Sequence, residues 1–139
     1  MIALDSDVYT LYLQGNESIM SKMDQRHHVL ITLPIVVVEE VIRGRFNTIR
    51  QCQTESKRER LPVAYERLAF TIKSCSNFPL LAYTADAEVL CQKWKKHKIR
   101  VPTQDMRIAA ICVSQGFKLA TNNTRDFSLI PELALETWN

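Results

Sequence analysis

The chain has 139 residues, a formal charge of +3, and hydrophobic and charged shares of 46% and 24%, which is globular composition and excludes a disordered or fibrous protein. Only three glycines and five prolines argue against a turn-rich all-β barrel. No apolar run approaches the roughly 18–20 residues that span a bilayer, and Met1 to Asp5 lack a basic signal-peptide start, so the expectation is one cytoplasmic domain over 1–139.

Short apolar runs alternate with longer helical ones, the pattern of an α/β fold. Met1 to Leu4 reads as a buried strand ending at Asp5, after which Ser6 or Asp7 is expected to cap a helix carrying Val8, Leu11 and Tyr12. Ser18 to His27 reads as a short amphipathic helix. Val29 to Ile35 reads as a second strand with Pro34 near its end, and the chain is expected to turn helical near 36–38. After Gly44 it runs polar and basic to Arg60, and Pro62 suits the first turn of a new helix. Leu61, Tyr65, Leu68, Ile72 and Cys75 follow spacings of 4, 3, 4 and 3, predicting an apolar seam on one side of a helical hairpin.

Leu80 to Tyr83 reads as a third strand. Thr84 is expected to cap a helix with Asp86 and Glu88 in its first turns and Lys93, Lys95 and Lys96 near its end, both matched to the helix dipole. Thr103 is expected to cap the next helix, which stops before Gly116. On it Asp105 shares a face with Ile108, Ala109 and Cys112, an acid where an apolar residue belongs. Phe117 to Ala120 reads as a fourth strand and Leu133 to Glu136 as a last edge strand.

Cys52, Cys75, Cys91 and Cys112 stand 23, 16 and 21 residues apart, a spacing that suits neither a zinc ribbon nor a redox pair. Each reads as a small buried hydrophobe. Charge is unevenly spread. Val41 to Lys73 holds eight basic residues against three acids, Gln92 to Arg100 holds five and none, and the remainder has five basic residues against twelve acids. Basic stretches beside an acidic remainder suit a polyanionic partner held near a cation-binding centre. A pair of solvated helix faces is the plainer reading.

The acids themselves follow strand ends. Asp5 and Asp7 follow the first, Glu39 and Glu40 the second, Asn123 and Asp126 the fourth. In an open parallel sheet, ligands bind beyond the carboxyl ends of strands. Clustered carboxylates repel and resist ionisation unless a cation sits among them, and Mg²⁺ takes such oxygen ligands. The histidines His27, His28 and His97 lie in polar or basic stretches, no Ser-His-Asp arrangement is evident, and no Gly-rich phosphate loop exists. Metal-assisted attack of water on a phosphodiester is the chemistry that remains. Plainer roles stay open for single acids. Asp5 or Asp7 could serve as an N-cap, Asp126 as a solvated loop acid and Glu39 as a surface acid, whereas a lone buried Asp105 is costly.

Four segments in order resemble the PIN-domain ribonucleases of the VapC toxin type. Leu4-Asp5-Ser6-Asp7 resembles the family's opening; Glu40 followed by Gly44 resembles its Glu and Gly; Asp105 with Ile108-Ala109-Ala110 resembles its third motif; Thr121 to Ser128, with Ile130-Pro131 and Trp138, resembles its closing segment. The resemblance implies a PIN-like three-layer α/β/α fold with a central, mostly parallel sheet and a helical hairpin insertion. It implies a metal-dependent endoribonuclease toxin, a homodimer using Mg²⁺ (Mn²⁺ possible), neutralised by a cognate antitoxin. Carried over by position, Asp5, Glu40 and Asp105 match the metal-holding acids. Asn123 stands where many members carry a fourth carboxylate, with Asp126 three residues later. On this reading Asp5, Glu40, Asp105 and Asp126 are the catalytic acids, and Asp5, Glu40, Asp105 and Asn123 hold the metal. Arg43, Arg45, Lys95, Lys96 and Lys98 hold the RNA backbone. A non-catalytic PIN-like binding module is the rival. Asp5-Ser6-Asp7 also resembles the opening of haloacid-dehalogenase-type phosphatases, but the later Lys and paired acids are missing and Tyr9 stands where Thr or Val is usual.

Overall fold

The computed structural model describes residues 1–139. Five strands, β1 (Ile2–Leu4), β2 (Ile31–Pro34), β3 (Leu80–Leu81), β4 (Lys118–Thr121) and β5 (Leu135–Thr137), form one sheet in the order β3-β2-β1-β4-β5. Every pairing is parallel, including that of the edge strand β5, so the sheet is wholly rather than mostly parallel. Strands buried on both faces carry continuous apolar runs, and all of β1 is buried. The order places β1 between β2 and β4, so chain direction across the sheet reverses there. A crevice therefore opens beyond the carboxyl ends of β1 and β4.

Seven helices complete a PIN-like α/β/α arrangement: α1 (Ser6–Leu13), α2 (Glu17–Gln25), α3 (Ile35–Gln51), α4 (Leu61–Cys75), α5 (Ala85–Lys96), α6 (Thr103–Gln115) and α7 (Thr124–Phe127). A buried cluster of 26 residues joins β1 to β4 with the helices. Its largest members include Trp94, Trp138, Tyr9 and Phe127. All four cysteines are buried and free, as their spacing implied.

Four local expectations are corrected. Asp5 rather than Ser6 or Asp7 caps α1, the plainer role left open for it: its Oδ1 accepts the Val8 amide at 2.8 Å. Pro102, not Thr103, precedes α6, and no side-chain cap bond forms there. Helix α3 starts at Ile35 directly from Pro34. The valine run 36–38 is helical despite its β preference, because Val36 and Val37 enter the core and burial outweighs propensity. The same helix continues through Gly44 to Gln51, held by packing of Ile49 and Cys52 against Ala64 of α4.

The seam on α4 is the fourth correction. Tyr65 and Ile72 are half exposed, and the buried line runs through Ala64, Thr71, Ser74 and Cys75, with Leu61 and Leu68 partly covered. Small and polar residues occupy the contact because α3 approaches closely and its Arg45 Nε donates to the buried Thr71 hydroxyl at 2.9 Å. Helix α4 is tied to α1 by the Tyr9 hydroxyl, which donates to Ser74 Oγ at 3.0 Å and lies 3.3 Å from Cys75 Sγ. Tyr9→Phe should therefore cost about 1 kcal/mol, read as an earlier midpoint in urea with an unchanged slope.

Candidate active site

The register of the sheet builds the site. Leu4 pairs with Ala120, and the Asp5 amide donates to the Ala120 carbonyl at 3.1 Å. Asp5 therefore lies beside Thr121 at the reversal of strand order. The Thr121 hydroxyl donates to Asp5 Oδ2, while the Asn123 amide donates to Thr121 Oγ1 at 2.9 Å. With Val8 on its other oxygen, Asp5 is locked in one rotamer, and only 3% of it is exposed. Burial pushes its carboxyl up to about 6, opposed by the Thr121 and Val8 hydrogen bonds and reinforced by Asp7 and Asp105. Beneath it, burial and the Asp5 charge push the Cys112 thiol up to about 12, so this cysteine is inert packing.

Glu40 projects from the second turn of α3. Its Oε1 is buried without a hydrogen-bond partner, as is the Ser6 hydroxyl of α1. Burial raises the Glu40 carboxyl; the Ser6 side chain counters this in part, and Asp105, Asp7 and Glu39 add to it. Asp105, in the first turn of α6, is raised by burial and then by Asp126 and Asp7. It stands in no ion pair. Asp126 Oδ2 accepts from Asn123 Nδ2 at 3.2 Å, which draws the two candidates for the fourth position together. Asp105 thus links the candidate acids: its charge acts on Asp5 and on Glu40, Asp126 acts on it in turn, and Asn123 is bonded to Asp126.

Two residues outside the expected set belong to this neighbourhood. Thr121 orients Asp5; its sequence signals were its place at the end of β4 and as the first residue of the closing segment that resembles the family, though no role was assigned to it. Asp7, exposed on α1, acts on Asp5, Glu40 and Asp105 alike. It lines a cleft of about 330 Å³ with Ser6, Thr10, Glu40, Gly44 and Arg45. Glu39 points away: Arg43 of its own helix binds Oε2 at 2.7 Å, and Gln104 of α6 binds Oε1 at 2.9 Å.

The expected RNA-binding cations separate. Arg45 lines the cleft beside Glu40, whereas Arg43 is spent on Glu39. Lys95 and Lys96 close α5 and Lys98 follows in a left-handed conformation with φ 58°, at the opposite end of that helix from its start just after β3.

An ion would meet only oxygen donors here. No three acidic, His or Cys side chains are drawn together closely enough to hold a metal unaided. The donor set nonetheless fits a hard, partly hydrated cation: carboxylates that resist ionising together, and a buried Glu40 oxygen with nothing to accept from.

No family model and no curated protein matches the chain. Solved structures do. A chain of VapBC2 from Rickettsia felis, bound to a DNA fragment from their promoter, superposes with a TM-score of 0.79 at 17% identity, each chain covered over 100%. DNA-bound VapBC from Salmonella typhimurium gives 0.77 at 20% identity, covering 99% and 98%. FitAcB from Neisseria gonorrhoeae gives 0.69 at 22% identity, covering 97% and 96%. At such identities the likeness shows a shared fold along the full chain. No helix is long and apolar enough to cross a membrane.

Proposed function

We propose that the chain is a VapC-type toxin of a toxin–antitoxin pair, a cytoplasmic metal-dependent endoribonuclease that hydrolyses RNA phosphodiester bonds. The observation that carries this is the convergence of Asp5, Glu40, Asp105 and Asp126 on the crevice where the sheet reverses. Burial and neighbouring carboxylates raise the proton affinity of Asp5, Glu40 and Asp105 there, and Asp126 adds its charge to Asp105. The solved complexes of the same fold include toxin–antitoxin assemblies, which supports an antitoxin partner; the homodimer is carried over from the family resemblance alone.

Asp5, Glu40 and Asp105 would hold Mg²⁺ or Mn²⁺, and Asn123 would complete the set through its amide oxygen. The bound ion would supply positive charge against the phosphate oxygens and acidify water for attack. The protein's part is positioning. The Thr121 hydroxyl and the Val8 amide each occupy one lone pair of Asp5, leaving one on each oxygen for an ion. The Asn123 side chain holds Asp126 by Oδ2, so Asp126 can orient water or take its proton. Arg45 stands ready beside Glu40 for a phosphate.

Purified protein should cleave RNA in Mg²⁺ and lose that activity in EDTA; retained RNA binding without cleavage would identify a non-catalytic module instead. The fourth position is tested by titrating Mg²⁺ against the cleavage rate. Asn123→Asp adds a carboxylate and should lower the half-saturating Mg²⁺. Asp126→Asn should raise it, each change being severalfold. Coincident curves for the three proteins would place this segment outside the metal site.

A further inference from the structure

The basic residues of the hairpin remain unexplained by the acidic crevice. A cavity of about 550 Å³ lies between the end of α3 and the start of α4, lined by Thr48, Gln51, Lys57, Arg60 and Arg67, with Glu59 as its one acid. The chain's ion pairs run through Arg26, Arg43, Lys93 and Lys118, so Lys57, Arg60 and Arg67 stand in no ion pair and outnumber Glu59 in one hollow.

The cavity and the cleft beside Glu40 are both lined from one face of a single helix. Glu40 and Gly44 line the cleft at the acids, and Thr48 and Gln51 line the distal cavity. Steps of four, four and three residues keep all four on one side of α3. Between the ends, the side chains are short: a Cβ at Gly44 would meet no atom within 4 Å, and the Thr48 hydroxyl folds back onto the Gly44 carbonyl at 3.1 Å. Arg45, fixed through Nε by Thr71, flanks the near end. From Glu40 to Gln51 the helix rises about 16 Å, or about five nucleotides at the ~3.4 Å spacing of a stacked strand.

We propose that this face of α3 is a track for the RNA strand, and that Lys57, Arg60 and Arg67 form a distal phosphate-binding site that anchors it several nucleotides from the cleaved bond. The inference rests on the ribonuclease reading and adds where the substrate runs. An open, shallow track between an acidic end and a basic end also sets polarity. The phosphates away from the acids are held by charge, while the phosphate at the acids needs the cation.

The test uses the full chain carrying Asp105→Asn, which prevents cleavage, and fluorescein-labelled single-stranded RNAs of about 3 and about 12 nucleotides, long enough for one end or for both. The longer RNA should bind about tenfold more tightly. Adding Arg60→Gln with Arg67→Gln should abolish that difference, leave the shorter RNA unaffected, and reduce the slope of log affinity against log salt by about 1.4, two phosphates' worth for a single strand. Gly44→Gln should likewise remove the length advantage by filling the track, and with it the salt contribution of the distal site, which a blocked strand no longer reaches. Thermal unfolding controls for folding, since all three positions are exposed. An unchanged length advantage and slope, with RNA cleavage by the wild type intact, overturns the track alone. Failure of the wild type to bind or cleave any RNA overturns the ribonuclease reading as well. Unchanged RNA binding with loss of polyglutamate binding would assign the cavity to an acidic protein and also overturn the proposal.

Discussion

Asp105→Asn is expected to reduce Mg²⁺-dependent RNA cleavage by at least about a hundredfold, because it removes a carboxylate from an ion-holding set while keeping its shape. The substitution should not harm the fold. Asp105 stands in no ion pair and is pushed toward protonation by its burial and by Asp126 and Asp7. A neutral amide relieves that repulsion, so the melting temperature in metal-free buffer should stay level or rise. The pairing of lost activity with undiminished stability separates a site residue from a core residue, whose loss would lower both. Cleavage at the wild-type rate would remove Asp105 from the site and leave the acids at the ends of β1 and β2 without their third member.

Asp5→Asn should remove a loss of stability with rising pH in the absence of metal. The folded protein holds the Asp5 proton up to about pH 6, whereas the unfolded chain releases it near 3.8. The folded state therefore binds more protons between those values. Stability from this group is fully present below about pH 4 and is lost as pH rises to about 6 and beyond. The difference between 3.8 and about 6 corresponds to about 3 kcal/mol by pH 7, and Asp5 is nearly fully buried, so little is screened away. Wild type and Asp5→Asn should melt together near pH 4 and diverge by several degrees at pH 7.5, the variant being the more stable; about 2–4 °C per kcal/mol applies to a chain of this size. Mg²⁺ should close the gap by stabilising only the wild type. Parallel pH profiles would show that the Asp5 environment does not resist its charge.

The elements legible in the sequence were those whose signal is local. Strand β1, the Thr84 cap of α5, the Gly116 stop of α6 and Pro62 in the first turn of α4 all lie where one residue's backbone chemistry decides. So does the gathering of acids after successive strand ends, because a parallel sheet sends every such end to the same side. What sequence could not decide depended on neighbours distant along the chain. Past Gly44 the sequence shows only a polar and basic run, yet α3 continues to Gln51 because Ile49 and Cys52 pack on Ala64. Tyr65 and Ile72 kept perfect helical spacing and still face solvent, because α3 meets the opposite side of α4 through Thr71. Residue types and order determined the fold class and the candidate acids. Only the tertiary structure decided that Asp5 is the cap of α1, that Thr121 orients it, and that Arg43 is occupied by Glu39 while Arg45, held by Thr71, lines the cleft. The physical reason is that hydrogen bonds and charge repulsion act through space over a few ångströms, and sequence spacing specifies such distances only within a single helix or strand.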